Sequence, residues 1–227
     1  MRHKVGLIRV VTLKDEKLLS FHGEVIQKFF PELEITSRCI EDQPNGIYDR
    51  ETEEQAVPKI LRLVKEFESK GYEAVIVSCA ADPAVSEARK MVSIPVVGAG
   101  SAVAALALTT ADRVGVLNLV EETPRVVRDV LGRRLVAEES PKNVRNTLDL
   151  MTDWGSRAAV EALERLLSMK VDAVVLACTG YTTIGFKQSV QNQVSIPVFD
   201  AVVASGAAAL SLLRQRNKVS HDVQKGR

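Results

Sequence analysis

The chain has 227 residues, of which 46% are apolar and 26% charged; it has room for one large domain or two small lobes and is far from disordered or fibrous compositions. Thirty Lys and Arg against 29 Asp and Glu leave a net charge of +1, so no strong field exists to gather nucleic acid or an anionic membrane. No apolar run approaches the roughly 18 residues of a membrane span, and three scattered cysteines exclude a disulfide framework or a zinc ribbon. The start, Met1 to Lys4 followed by apolar Val5 to Val11, has a basic flank but no small-residue cleavage site, so a cytoplasmic location is expected.

In chain order, short runs of Val, Ile and Leu alternate with stretches of helical period, the pattern of a buried parallel sheet flanked by helices. Strands are predicted at Lys4 to Val11, Glu34 to Cys39, Ala74 to Ser78 and Val96 to Val97. Four more follow at Arg113 to Leu119, Arg134 to Glu138, Ala173 to Ala177 and Val198 to Phe199. The helix Asp15 to Phe30 places Leu18, Leu19, His22, Ile26 and Phe29 or Phe30 on one stripe and stops at Pro31. Thr52 with Gln55 makes a capping box for the helix that runs to Lys70 and Gly71.

The two halves repeat. Val5-Gly6-Leu7-Ile8 matches Val114-Gly115-Val116-Leu117, and Glu73-Ala74-Val75-Ile76-Val77-Ser78-Cys79 matches Asp172-Ala173-Val174-Val175-Leu176-Ala177-Cys178. Val-Ser-Ile-Pro-Val occurs verbatim at 92–96 and 194–198, each time before a small-residue helix. The fold class is therefore α/β, with two similar doubly wound parallel-sheet lobes related by a pseudo-twofold duplication and the active site in the cleft between them. The first lobe is expected over residues 1–98, joined by a C-terminal helix over 202–216, and the second over 99–201. The tail from Arg214 to Arg227 is polar and expected to be loose.

Parallel sheets bind ligands beyond the carboxyl ends of their strands, where Cys79 and Cys178 both stand. Facing each other across a shared cleft, two thiols suit inversion of a carbon acid: one base removes a proton from one face, and a conjugate acid returns one to the other. Ala80-Ala81-Asp82-Pro83 reads as a turn into a helix with Asp82 as N-cap, a setting expected to lower the pKa of Cys79. Around Cys178, Thr179 and Gly180 offer amides and a hydroxyl as oxyanion donors, with Thr182 or Thr183 capping the next helix. Cys39, unmatched in the second half, is expected to be an inert strand residue.

Other features carry less. His3, His22 and His221 are too dispersed for a metal site, and no metal is expected. Gly98-Ala99-Gly100-Ser101 is a strand-to-helix turn without the third glycine of a dinucleotide loop. Residues 42–49 form a surface loop or a lid, with the surface loop favoured, and Trp154 is expected to pack.

On these residues the sequence resembles the aspartate/glutamate/hydantoin racemase superfamily over almost its whole length. Cys79-Ala80-Ala81-Asp82-Pro83, with Ala88-Arg89 and Ile94 to Gly98, is most similar to hydantoin and allantoin racemases, with Ala81 in place of their glycine. Ala177-Cys178-Thr179-Gly180-Tyr181 is similar to the Gly-Cys-Thr-His motif of amino-acid racemases, and Gly180 in place of their histidine speaks against glutamate. Where hydantoin racemases carry Asn-Pro-Asn on the first strand, this chain has Ile8-Arg9-Val10-Val11-Thr12.

The resemblance implies a cofactor-independent isomerase with Cys79 and Cys178 as catalytic residues, and a 5-substituted hydantoin is the expected substrate. Ligand contacts are expected from Arg9, Thr12 and Ala80 in the first lobe and from Asn118, Glu122, Thr123, Thr179 and Gly180 in the second. The expected partners are a small-molecule substrate and further copies of the chain in a homo-oligomer. Rival readings are an aspartate/glutamate-type racemase, a maleate isomerase or decarboxylase relative, and a two-lobed ligand-binding sensor without chemistry.

Overall fold

The computed structural model of the chain describes residues 2–224, with side chains described as far as Arg216. Two separate four-stranded sheets form the frame. The first contains β1 (His3–Arg9), β2 (Leu33–Cys39), β3 (Ala74–Ser78) and β4 (Val96–Gly98) in the order β2-β1-β3-β4. The second contains β5 (Val114–Leu117), β6 (Leu135–Glu139), β7 (Ala173–Leu176) and β8 (Val198–Asp200) in the order β6-β5-β7-β8. Every pairing is parallel. Each predicted strand exists, with ends within two residues of expectation.

The duplication is visible in the register. Val5 pairs with Ala74 and Val114 with Ala173, while Val75 pairs with Val96 and Val174 with Val198. The repeated Val-Ser-Ile-Pro-Val segments thus feed equivalent strands, and in each copy the proline carbonyl accepts from the neighbouring strand, at Val75 and at Val174. The central strands β3 and β7 are buried throughout, as expected when helices cover both faces of a parallel sheet.

In the first sheet, Ile8, Val75 and Val77 point to one face. There they pack with Ile60, Leu63 and Phe67 of α2 (Arg50–Ser69) and with Val85 and Ala88 of α3 (Val85–Met91). Val5, Leu7 and Ile76 point to the other face, against Ile26 of α1 (Glu16–Phe29) and against Val202, Ala209, Leu210 and Leu213 of α10 (Ala201–Gln224). The last helix of the chain therefore completes the core of the first sheet. In the same way α4 (Ala99–Ala107), which follows the first sheet in sequence, packs with α5 (Arg125–Leu131) on Val114, Val116, Ala173 and Val175 of the second. Its opposite face is covered by Ala159, Ala162, Leu163 and Leu166 of α7 (Asp153–Ser168). Small residues along α4 and α10 let these two helices pack closely where the lobes meet.

Local signals differ from expectation in four places. The capping box of α2 is made by Asp49 with Thr52, not Thr52 with Gln55: Asp49 accepts from the Thr52 amide at 2.8 Å, and Thr52 Oγ1 accepts from the Asp49 amide at 3.1 Å. Asp15 caps α1, whose buried side chains are His22 and Ile26, while Phe29 is exposed. The tail expected to be loose continues α10 up to Gln224; its last three residues lie outside the described ones. Trp154 does not pack inside but stands 42% exposed at the start of α7.

Candidate active site

Cys79 follows the last residue of β3 and opens a tight turn, in which the Asp82 amide donates to the Cys79 carbonyl at 3.1 Å. Asp82 and Ala84 both take left-handed backbone angles, with φ of 53° and 59°. Asp82 is not the cap of α3, which starts at Val85 without a side-chain cap. Its carboxylate instead accepts from the amides of Gly100 and Ser101, at 2.6 and 2.9 Å, at the first turn of α4. Only glycine fits there: a Cβ on Gly98 would lie 2.1 Å from the Asp82 carboxylate, and one on Gly100 would lie 1.9 Å from the Ala80 carbonyl oxygen. The Gly98-Ala99-Gly100-Ser101 turn thus pins the loop that carries Cys79.

Cys178 stands at the equivalent end of β7. The Ala177 amide donates a hydrogen bond to the Leu117 carbonyl at 2.9 Å, and the short helix α8 (Gly180–Thr183) begins two residues beyond the cysteine. The Gly180 amide donates to Cys178 Sγ at 3.3 Å, and the Ala81 amide plays the same part at Cys79. In both lobes the amide two residues after the cysteine faces its sulfur, so the duplication extends to the local electrostatics of the thiols. Thr182 and Thr183 do not cap the following helix α9 (Phe186–Val190), which starts from Gly185 in a left-handed conformation. Thr182 Oγ1 donates to Asp200, and Thr183 Oγ1 bonds His22.

One cavity of about 640 Å³ opens between the sheets and is lined by both cysteines. Of the residues predicted to meet a ligand, Arg9, Ala80, Glu122, Thr123, Thr179 and Gly180 also line it. Thr12 does not: its hydroxyl donates to the Ile40 carbonyl at 2.9 Å and accepts from the Gln43 amide at 2.7 Å, fastening the loop after β1 to the loop after β2. Asn118 is fully buried behind the wall, where its Nδ2 donates to Thr123 Oγ1 at 2.8 Å and its carbonyl accepts from the Tyr181 hydroxyl at 2.7 Å. Asn118 thereby orients Thr123 rather than lining the cavity. Cys39 ends β2, with its sulfur 3.8 Å from the Leu13 carbonyl, and takes no part in the lining.

Several cavity residues escaped prediction. Gly46, Ile47, Tyr48 and Asp49 bring the 42–49 loop into the cavity wall, so it is more than the plain surface loop that its turn residues suggested. Ile47 and Tyr48 join Leu13 and Leu18 as the apolar lining from the first lobe, and Leu148 and Met151 around α6 (Thr147–Leu150) supply it from the second. Ser78 and Thr183 line the cavity as well and are joined by His22, which is 1% exposed. Its signal in the sequence is a lone polar side chain inside the apolar stripe of α1.

The electrostatics overturn the expectation of an acidified thiol. Burial pushes the Cys79 thiol up to about 12, only partly opposed by the Ala81 amide, and Cys178, Asp82 and Glu53 raise it further. Burial also pushes Cys178 up, to about 11, against the Gly180 and Tyr181 amides. The short α3 starts only at Val85, without a side-chain cap, and of the backbone amides only that of Ala81 opposes the burial of the Cys79 sulfur. Both groups are therefore neutral thiols near pH 7. Arg9 is 6% exposed, and burial lowers its guanidinium to about 10, which leaves it a cation; its Nη1 donates to the Leu18 carbonyl at 2.5 Å. Burial, and then the charge of Arg9, hold His22 well below its ordinary range, so the imidazole is neutral. Among the described residues, no three His, Cys, Asp or Glu side chains converge as a metal site.

Comparison with known proteins agrees with this architecture. The family model described as Asp/Glu/Hydantoin racemase matches residues 22–209. A hydantoin racemase from Rhizobium meliloti is 26% identical over 181 residues, which cover 76% of this chain and 73% of the relative. Among solved structures, an allantoin racemase from Klebsiella pneumoniae superposes with a TM-score of 0.82 at 21% identity, over 94% of this chain and 88% of its own. A glutamate racemase isoform from Bacillus anthracis does so at 0.71 and 15% identity, over 94% and 82%. The structural likenesses, at these identities, establish a shared fold. The family match reaches from α1 to α10 and takes in both cysteine-bearing strand ends, so the chain belongs to the Asp/Glu/hydantoin racemase family, and its enzyme class is isomerase.

Proposed function

We propose that the protein racemises a 5-substituted hydantoin, without a cofactor, by proton transfer between two cysteines. The observation that carries this reading is that Cys79 and Cys178, one from each duplicated lobe, line the same cavity. One thiolate takes the proton at C5, beside the ring carbonyl. The other thiol delivers its proton to the opposite face of the planar enolate, which leaves the carbon inverted and the two sulfurs with exchanged protonation states. For the other enantiomer the roles are reversed. Amides at Ala80 and Thr179 hold the enolate oxygen, and the Ala81 and Gly180 amides steady whichever sulfur is ionised.

Raised thiol pKa values suit this task. A thiolate with a high pKa is a stronger base toward a carbon acid, at the cost of a smaller ionised fraction. The ring also favours a hydantoin over a free amino acid, since no full carboxylate charge opposes formation of the carbanion. The cavity supports a neutral ring with an apolar substituent: its walls include Leu13, Leu18, Ile47, Tyr48, Leu148 and Met151. Arg9 stands ready to donate to a ring carbonyl, and Thr123, oriented by Asn118, offers a hydroxyl from the second lobe.

Circular dichroism of single enantiomers of alkyl- and aryl-substituted hydantoins, allantoin, aspartate and glutamate tests the assignment. Loss of optical activity is expected with the substituted hydantoins and is abolished by iodoacetamide. Racemisation of aspartate or glutamate, with the hydantoins left intact, would replace this reading with the amino-acid one.

A further inference from the structure

The two sheets share no strand pairing, so no backbone ladder sets the distance between the sulfurs. Among the described residues, two side-chain links join the cysteine-bearing loops, or the residues next to them, to each other across the lobes: one direct hydrogen bond and one bridge of two. Thr179 Oγ1 donates to the Ser78 carbonyl at 3.2 Å. The second link runs through His22 of α1, whose Nδ1 lies 2.9 Å from Ser78 Oγ and whose Nε2 lies 2.9 Å from Thr183 Oγ1. Ser78 immediately precedes Cys79, and Thr183 ends the four-residue helix that begins two residues after Cys178. The imidazole is buried to 1% exposure, and each of its nitrogens has a partner in a different lobe.

We propose that His22 is a positioning residue: a clasp that joins Ser78 to Thr183 and so fixes the separation and facing of the Cys79 and Cys178 sulfurs across the cavity. This inference rests on the two-thiol reading for its kinetic consequence, though not for its geometric one. A two-base inversion needs both sulfurs within reach of one carbon from opposite faces, and a displacement of about 1 Å is enough to lower a rate by roughly 100-fold. A neutral imidazole suits the clasp because it offers one donor and one acceptor, and each hydroxyl can take the complementary role. Such a ring inside an otherwise apolar helix stripe gives α1 no packing advantage over Leu or Phe. Its two bonds account for its presence.

The test compares His22→Phe, which fills the space without hydrogen bonds, with His22→Gln, which keeps a donor and an acceptor on a flexible amide. Thr183→Val and Ser78→Ala serve if His22→Phe does not fold. In deuterated buffer, the ratio of C5–H exchange to inversion separates the two steps. Loosening the clasp leaves one thiolate able to exchange the proton while the second can no longer complete the inversion. His22→Phe is expected to lower kcat for inversion by roughly 100-fold with KM little changed and to raise the exchange-to-inversion ratio, while His22→Gln recovers part of both. Equal losses of exchange and inversion, with the ratio unmoved, would overturn the clasp.

A second readout does not depend on turnover. A short dihalide cross-linker, from which each sulfur displaces one halide, is applied to wild type and variants, and the linked Cys79–Cys178 peptide is quantified by mass spectrometry. A lower yield in His22→Phe than in wild type is expected, and an unchanged yield contradicts the proposal. If wild type racemises no hydantoin, the proposed function fails, and the cross-linking result alone decides the clasp.

Discussion

At Cys79 and Cys178 the environment works against ionisation, and this has consequences for both stability and activity on the alkaline side of neutrality. In the unfolded chain a thiol titrates near 9.0, whereas in the fold these two titrate near 12 and 11. Above pH 9 the unfolded state therefore loses protons that the folded state keeps, and stability falls with rising pH across that window. Chemical denaturation between pH 8 and 10.5 should show this decline, reduced when both cysteines are replaced by alanine; an identical decline in that variant would contradict the burial argument. Activity should move in the opposite direction, with kcat/KM still rising above pH 8 while the protein stays folded. A second prediction at this scale concerns Gly100, where an added methyl group would meet the Ala80 carbonyl oxygen at 1.9 Å. Gly100→Ala should cost about 1 to 3 kcal/mol by overpacking and should depress activity further by moving the Cys79 turn. Urea denaturation and initial rates measure the two effects separately.

At the scale of elements, helices from opposite ends of the chain, α1 and α10, together cover one face of the first sheet. Leu213, near the C-terminal end of the described side chains, is 3% exposed and shares a cluster with Val5 and Leu7 of β1. Leu213→Ala should therefore destabilise the protein by about 2 to 5 kcal/mol, as a core truncation does, although it lies on the last helix. A loss below about 0.5 kcal/mol in urea denaturation, the scale of a surface substitution, would show that α10 does not complete that core. Helix α1 carries a different liability. Its His22 is held neutral in the fold by burial and by the charge of Arg9, whereas in the unfolded chain it protonates near its ordinary 6.5. Below that pH the unfolded state binds a proton that the folded state refuses, so stability drops as the pH falls from about 6.5 toward 5. His22→Gln should flatten this part of the stability profile, and an unchanged acid slope would place its cause elsewhere.

For the molecule as a whole, the duplication was legible because it is written in strands. Short apolar runs, a verbatim Val-Ser-Ile-Pro-Val and two cysteines at matched strand ends survive as a linear pattern, and the parallel registers follow them residue by residue. What escaped depends on contacts between segments distant in sequence. Asp82 looks like the cap of the helix that follows it, but its carboxylate accepts from the amides of Gly100 and Ser101, on a helix that begins 17 residues further along the chain. Thr12 looks like a ligand donor at a strand end, yet two backbone groups claim its hydroxyl. The pKa of a thiol depends on how much protein surrounds the sulfur, which local sequence does not state. His22 looked like one position in a helix stripe, and its role is apparent only when Ser78 and Thr183 are brought from 56 and 161 residues away.

The most direct test of the central claim, that one thiol acts on each face of the substrate, is C5–H exchange followed by NMR in deuterated buffer with Cys79→Ser and Cys178→Ser. Each enantiomer of a substituted hydantoin is supplied in turn. Both variants should lose inversion, and each should retain exchange from one enantiomer at most, with the two variants preferring opposite hands. Equal residual exchange from both enantiomers in either variant would contradict the account.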